Sequence, residues 1–358
     1  MNRYLLLFIA FLSVGQAAWS QSPLSYQLAP SNKSLYKIIY PVATGNGLNI
    51  SVPFSSLVIH DIRPDTTKLG FYRSTKDRHS YKYRFTGNTA QELTAYLTAH
   101  YNKNLTLGSP NQLEIFVKKL WLSEFDSAEL NLHNTHLRNA WLHVKAEVYL
   151  RTPAAYHPVF RIDSILYARK QNGYTSGGFI TQMLVDALQR LEQADFSQIV
   201  SRKTLSPSQV DAYNKHTTTT PSAHVPVKGI YSSFTDFKKG KPSATEYEVR
   251  FETLTDIVYV KEQDGNTYAR KDIWGFSDGQ TVFIRMGSNF FPLYNHQNTW
   301  EFYGTAAMEF KAPRMPVLAG AGWPFLLAAA GATEITQYEK RLINLRAFQV
   351  DVENGKFY

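Results

Sequence analysis

No cysteine occurs among the 358 residues. That excludes disulfides, a thiol nucleophile, an iron–sulfur cluster, a thiolate zinc site and lipid attachment through an N-terminal cysteine. Charge is sparse, at 19% of residues, and acid is the scarcer sign, with 29 Asp+Glu against 38 Lys+Arg. A phosphate loop is missing too: Gly45-Asn46-Gly47 has neither a Lys-Ser/Thr pair nor a following helical pattern. No internal repeat stands out. What remains is 44% hydrophobic and 14% aromatic, an ordinary globular composition, and a length that suggests about two domains.

The first 20 residues read as a signal peptide. Arg3 supplies the positive start, Tyr4 to Val14 the apolar stretch, and Gly15 to Ser20 a small, polar end. Ala18 and Ser20 stand at the two positions a signal peptidase reads, which places the cut between Ser20 and Gln21; a cut after Ala18 is the alternative. Removing Arg3 leaves 37 basic against 29 acidic residues, a net of +8. Export to the periplasm, the cell surface or the medium follows.

The fold class expected is α+β: an antiparallel-rich sheet covered by two helices, then a smaller β-rich meander. Residues 21–213 form the α+β domain in this reading. Leu57–Ile62 and Leu69–Tyr72 have strand character around the turn Arg63-Pro64-Asp65. Thr89 and Glu92 have capping-box spacing, and Leu93, Tyr96, Leu97, His100 and Tyr101 share a stripe, so a helix is expected from Thr89. Leu113–Leu122, Trp141–Leu150 and Pro158–Arg169 follow as strands. In the second, Leu142, Val144, Ala146, Val148 and Leu150 alternate with Trp141, His143, Lys145, Glu147 and Tyr149, the pattern of a sheet with one buried and one wet face. Ile180, Met183, Leu184, Ala187, Leu188 and Leu191 predict a second helix from Gly177 to Gln193, capped by Ser176. Ser206-Pro207-Ser208-Gln209 offers the start of a short third one.

Residues 214–227 carry four threonines and two prolines without hydrophobic period, a linker. Residues 228–358 form the β-rich domain. Thr245–Glu252 alternates strictly, and strands flank the turns Asp264-Gly265-Asn266 and Ser277-Asp278-Gly279. Strands at Asn289–Tyr294, Trp300–Tyr303 and Ala347–Val352 complete the domain. Residues 315–332 are uncharged. As a helix they would reach about 27 Å, but Pro316 and Pro324 and three glycines spoil a span, so a packed apolar segment is expected before a membrane contact.

Tests for chemistry yield no catalytic set. Gly173-Tyr174-Thr175-Ser176-Gly177 misses the hydrolase elbow by one place. His133, His136 and His143 lack a carboxylate beside them and read as solvated residues rather than zinc ligands. No metal or organic cofactor is expected. Two binding surfaces are candidates. The first is basic and aromatic, across residues 72–84: Tyr72, Arg73, Lys76, Arg78, Tyr81, Lys82, Tyr83 and Arg84. Charge with interleaved rings suits anionic ligands, and export favours an anionic glycan or lipid head group over nucleic acid. The second is the wet face of the first sheet, with Trp141, His143, Tyr149 and Tyr167, suited to a partner protein or sugar.

Asp61-Ile62-Arg63, then Leu69-Gly70, a helix, three strands and a closing helix resemble, over residues 55–200, the α+β domain of bacterial envelope auxiliary lipoproteins. Their lipid-bearing cysteine has no counterpart here. Gly229-Ile230-Tyr231, Phe234, Asp236-Phe237, Lys241-Pro242-Ser243 and Trp274-Gly275-Phe276-Ser277-Asp278-Gly279 resemble, over residues 228–310, secreted bacterial proteins of unknown function. Both resemblances imply an envelope setting. The reading is an exported envelope protein that binds or scaffolds without catalysis. A secreted hydrolase of glycan or peptidoglycan and a protein tethered through 315–332 are the competing readings.

Overall fold

The computed structural model describes residues 35–42, 47–74, 80–130, 136–170, 175–202, 204–218, 226–253, 256–262, 267–268, 273–287, 289–305 and 345–357. The expected leader, His133, Lys76, Arg78, the turn Asp264–Asn266 and the segment 315–332 lie outside them. The chain divides into two units. The larger comprises residues 31–223, 295–301 and 339–358; the smaller comprises 224–294 and 302–338, with 1–30. The C-terminal strand, assigned to the smaller domain from sequence, is therefore part of the larger unit.

The larger unit is an α+β layer built on one sheet. Its strands are β1 (Tyr36–Ile38), β2 (Ser56–Asp61), β3 (Gly70–Arg73), β4 (Ser80–Arg84), β5 (Gln112–Leu130), β6 (His136–Arg151) and β7 (Tyr156–Lys170). The order is β1-β4-β3-β5-β6-β7, with β2 also paired to β5. β5 takes β2 in parallel along its first half, Leu57 beside Leu113, and β3 along its second, Gly70 beside Leu122. Gly70 is required there. Its φ is +135°, and a Cβ would overlap the Leu122 carbonyl oxygen.

Apolar alternation decides which face is covered. Leu142, Val144, Ala146, Val148 and Leu150 of β6 are all at most 1% exposed. Against them lie α1 (Thr89–Tyr101), through Leu93, Leu97 and Tyr101, and α2 (Ser176–Leu188), through Ile180, Met183, Leu184 and Leu188. Both caps sit one residue before the expected position. Asn88 accepts from the Gln91 amide, and Glu92 reaches back to the Gly87 N–H; Thr175, not Ser176, caps α2 by accepting from Gly178. Asn is the better cap where Thr89 is itself buried, and the Thr175 backbone is extended while Ser176 is already helical. A 3-10 turn, Gln189–Gln193, prolongs α2.

On β5 and β6 the opposite face is not wet, although Ile165 and Tyr167 of β7 stay exposed on it. His143, Lys145 and Tyr149 are 2%, 3% and 3% exposed. Two elements cover it. In the first, α3 (Phe196–Ser201) leads into α4 (Pro207–Thr218), whose Val210 packs with Phe116, Tyr149 and Tyr156. α4 thus occupies the first residues of the expected linker. The second is the C-terminal strand, Leu345–Gln349, which lies on β3 and β5, where Trp121 Nε1 donates to the Ala347 carbonyl at 3.3 Å.

The smaller unit is β-rich, as expected, and its strands fall into two sheets. β9 (Tyr247–Thr253), β10 (Asp256–Glu262) and β11 (Thr267–Tyr268) form one. The other runs β8 (Gly229–Tyr231), β12 (Gly275–Ser277), β13 (Val282–Met286), β14 (Asn289–His296) and β15 (Thr299–Thr305), with order β8-β12-β13-β14-β15; the end of β14 and the start of β15, residues 295–301, count with the larger unit. The C-terminal strand of the larger unit is β16 in this numbering. The hairpin at Ser277-Asp278-Gly279 forms: Asp278 Oδ1 accepts from the amides of Gln280 and Thr281, and Gly279 takes φ +96°. Ser233 caps the short α5 (Phe234–Lys238). Ile230, Ile273, Phe276 and Phe290 make the core.

Candidate functional site

The described parts of the basic and aromatic stretch, Tyr72–Arg73 and Ser80–Arg84, are strand, and strand geometry sorts their side chains. Successive residues of β4 point to opposite faces. Tyr83 turns inward and is fully buried, whereas Arg84 is exposed on the outer face. β1 runs parallel beside it, Tyr36 next to Lys82 and Ile38 next to Arg84. The Arg84 guanidinium sits 4.4 Å from the centre of the Tyr36 ring, and the Lys82 ammonium 6.0 Å from it. Neither cation forms an ion pair among the described residues, and Tyr36 is 41% exposed.

This edge borders a cleft of about 550 Å³, walled by Tyr36, Arg84, Thr66, Thr67 and the residues that open α1. That volume suits a small ligand or one unit of a polymer. The other charges lining it are already matched. Asp61 is held by Arg63 through two bonds of 2.7 Å. Lys68 is held by Asp65 at 2.6 Å and Glu301 at 3.0 Å. The uncompensated charge is that of Arg84, with Lys82 beside it.

The inner face of the same strands is a closed polar network. Tyr72 donates to Asp126 at 2.8 Å and accepts from Arg138 Nη2 at 2.9 Å, and Arg138 covers its ring at 4.2 Å. The Lys37 ammonium lies 4.4 Å from the same ring. Tyr83 donates to Glu124 and accepts from Ser176 Oγ. Burial, with the Asp126 bond, pushes the Tyr72 hydroxyl up to about 12 against the pull of Arg138. Burial and the Glu124 charge push Tyr83 up as well. Both phenols stay neutral and donate; neither is a nucleophile. Tyr81 stacks on Tyr72, and Arg73 donates to Ser80. The structure therefore splits the predicted surface: Lys82 and Arg84 face outward, and Tyr72, Tyr81 and Tyr83 face inward.

The predicted aromatic surface is also split. Trp141 and Tyr167 meet at 4.5 Å, with Phe125 stacked on Trp141 at 5.5 Å. Tyr167 is 54% exposed and donates to Asn139 at 2.7 Å. Tyr149 belongs instead to the cluster under α4. His143 lies 3.3 Å from Asp163, and burial together with the Lys119 charge pulls its imidazole down to about 4. It is a neutral, buried side chain, not a surface one.

A charged centre missed from sequence joins β5 and β6 to the C-terminal segment. Lys145 pairs with Asp351 and Glu353, Arg161 meets Glu353 at 2.6 Å, and Lys119 donates to the Gln349 carbonyl at 2.9 Å. Burial pulls Lys119 down to about 8, the property of lysines that act as nucleophiles. The cavity beside it measures only about 30 Å³, room for a water but not a substrate. These groups fasten the tail. No sequence signal marks them, because Lys145 and Asp351 are joined only by folding.

Among the described residues, no group of three or more His, Asp or Glu side chains is arranged to hold a metal ion, and no helix is long and apolar enough to cross a membrane.

No protein-family model matches the chain, and no curated protein matches it. Solved structures are similar over part of it, two of which follow. One is a Xanthomonas campestris protein of the DUF330 family, with TM-score 0.28, 12% identity, and cover of 43% of this chain and 92% of that one. The other is an uncharacterised protein with TM-score 0.21, 10% identity, and cover of 44% and 95%.

Proposed function

We propose that this is an exported envelope protein whose larger unit binds an acidic glycan along the β1–β4 edge, without covalent chemistry of its own. One observation carries the reading: Lys82 and Arg84 flank an exposed Tyr36 at a cleft of about 550 Å³, and no carboxylate of the described residues neutralises them. A ring with cations beside it offers a flat face to a sugar and charge to its acid group. The leader at residues 1–20 supports the envelope setting. The test is titration of the protein with a uronic-acid oligosaccharide. Lys82→Glu with Arg84→Glu is expected to weaken binding at least tenfold. Raising salt from about 0.05 to about 0.5 M should weaken the wild type markedly, as screening of exposed charges requires. Binding that ignores both changes sinks the reading.

A further inference from the structure

Tyr36, Ile38, Tyr40 and Val42 are 41%, 36%, 61% and 38% exposed. Between them Lys37 and Ile39 turn inward, Lys37 over the Tyr72 ring and Ile39 into the core. A period of two is that of extended chain, and here it runs past the end of β1. In a sheet with one buried face the outer positions are usually polar. In this segment they are apolar or aromatic, and they adjoin the exposed Arg84.

The backbone beneath this stripe is held along its length. The Lys82 amide donates to the Leu35 carbonyl at 2.8 Å, and the Ile39 amide donates to the Arg84 carbonyl at 3.0 Å. Pro41 favours an extended Tyr40. The Tyr40 carbonyl then rests on Gly177, where a Cβ would overlap it, and Thr181 Oγ1 donates to the Val42 carbonyl at 2.8 Å. Gly177, in the Gly-rich turn that opens α2, therefore gives the segment room to lie flat on the helix. A surface fixed in advance loses little freedom on binding.

Tyr36 and Tyr40 are four residues apart on the same face, about 13 Å along the chain. Tyr36 walls the cleft, whereas Tyr40 lies outside it. A ligand that fills the cleft alone leaves the second ring bare.

We propose that the ligand of this edge is a glycan chain of several units, bound along its length. One acidic unit lies on Tyr36 against Lys82 and Arg84, and a later unit lies on Tyr40, with Ile38 beneath the link between them. This rests on the reading given above and deepens it from an acidic glycan to an extended one. The rings offer flat apolar faces with a polar hydroxyl at the rim, suited to sugars. Once the first unit is held, the contact at Tyr40 is intramolecular, so it adds affinity without a second cationic pair.

The test is calorimetric titration of the full chain with a galacturonic acid disaccharide and hexasaccharide. The hexasaccharide is expected to bind at least tenfold more tightly. Tyr40→Ala should bring the ratio between the two lengths close to one, whereas Tyr36→Ala should weaken both ligands. Tyr40 is exposed, so its truncation leaves the core intact, and a circular dichroism spectrum checks that the variant is folded. Equal affinity for the two lengths in the wild type, or an unchanged ratio in Tyr40→Ala, overturns the extended track and leaves the binding edge standing. Binding of neither length overturns both.

Discussion

His143 shows how one buried ring can set an acid limit on the whole molecule. Burial and the Lys119 charge hold its folded pKa at about 4, below the 6.5 of an ordinary imidazole. The unfolded chain takes up a proton near 6.5 while the folded chain refuses it until about 4. Protonation therefore favours unfolding, and the stability is complete above 6.5 and is lost as pH falls toward 4. Asp351 and Glu353 extend the loss at lower pH. Burial pushes their carboxyls up, but bonds from Lys145 outweigh it and hold both below the usual carboxylate range. Thermal melts from pH 7 to pH 4 should show the midpoint falling, and His143→Gln should flatten the upper part of that curve. A variant curve parallel to the wild type would remove His143 as the cause.

At the scale of elements, the C-terminal segment is tied down by charge as well as by its buried Ala347, Phe348 and Val350. Lys145 and Asp351 are each 3% exposed, and Glu353 and Arg161 complete the chain of ions. Removing one member of a buried set leaves the others uncompensated, at about 3–5 kcal/mol. Lys145→Met is expected to lower unfolding free energy by that order in a denaturant titration. A cost under about 1 kcal/mol would mean that water reaches the pair. The same segment explains which parts of the fold could be read in advance. β6 and α2 are legible because their stripes are local: Leu142 to Leu150 at period 2, Ile180 to Leu188 at helical spacing. The Trp141, His143 and Tyr149 face reads as wet for the same reason, since polar side chains alternate there. Nothing local tells that Asp351 and Glu353 come to neutralise Lys145. β4 is legible in principle, as Tyr81-Lys82-Tyr83-Arg84 alternates. Its short length and basic composition mask the period. The unpaired cations of the candidate site are in view as residue types, while their lack of partners is a fact of three dimensions.

At the scale of the molecule, the two units are not consecutive pieces of chain. α4 reaches Thr218, so residues 214–218 are helical and a protease should cut beyond them, before Pro226 is reached. The smaller fragment would still carry residues 345–353, which are bound to the larger unit through Trp121, Lys119 and Lys145. The nicked protein is therefore expected to elute as one species in size-exclusion chromatography and to separate only in denaturant. Fragments that part at once in buffer would show the tail to be weakly held.

That interleaving has a consequence for synthesis. β5 and β6 leave the ribosome some two hundred residues before the strand that covers them. Until Leu345 to Glu353 arrive, the sheet shows Trp121 and Trp141 to solvent and leaves Lys119 and Lys145 without their tail partners. A chain interrupted anywhere in the smaller unit would present that bare face to chaperones and proteases. Only a chain synthesised as far as Glu353 covers that face, so the order of the chain makes the larger unit a check on synthesis up to that point.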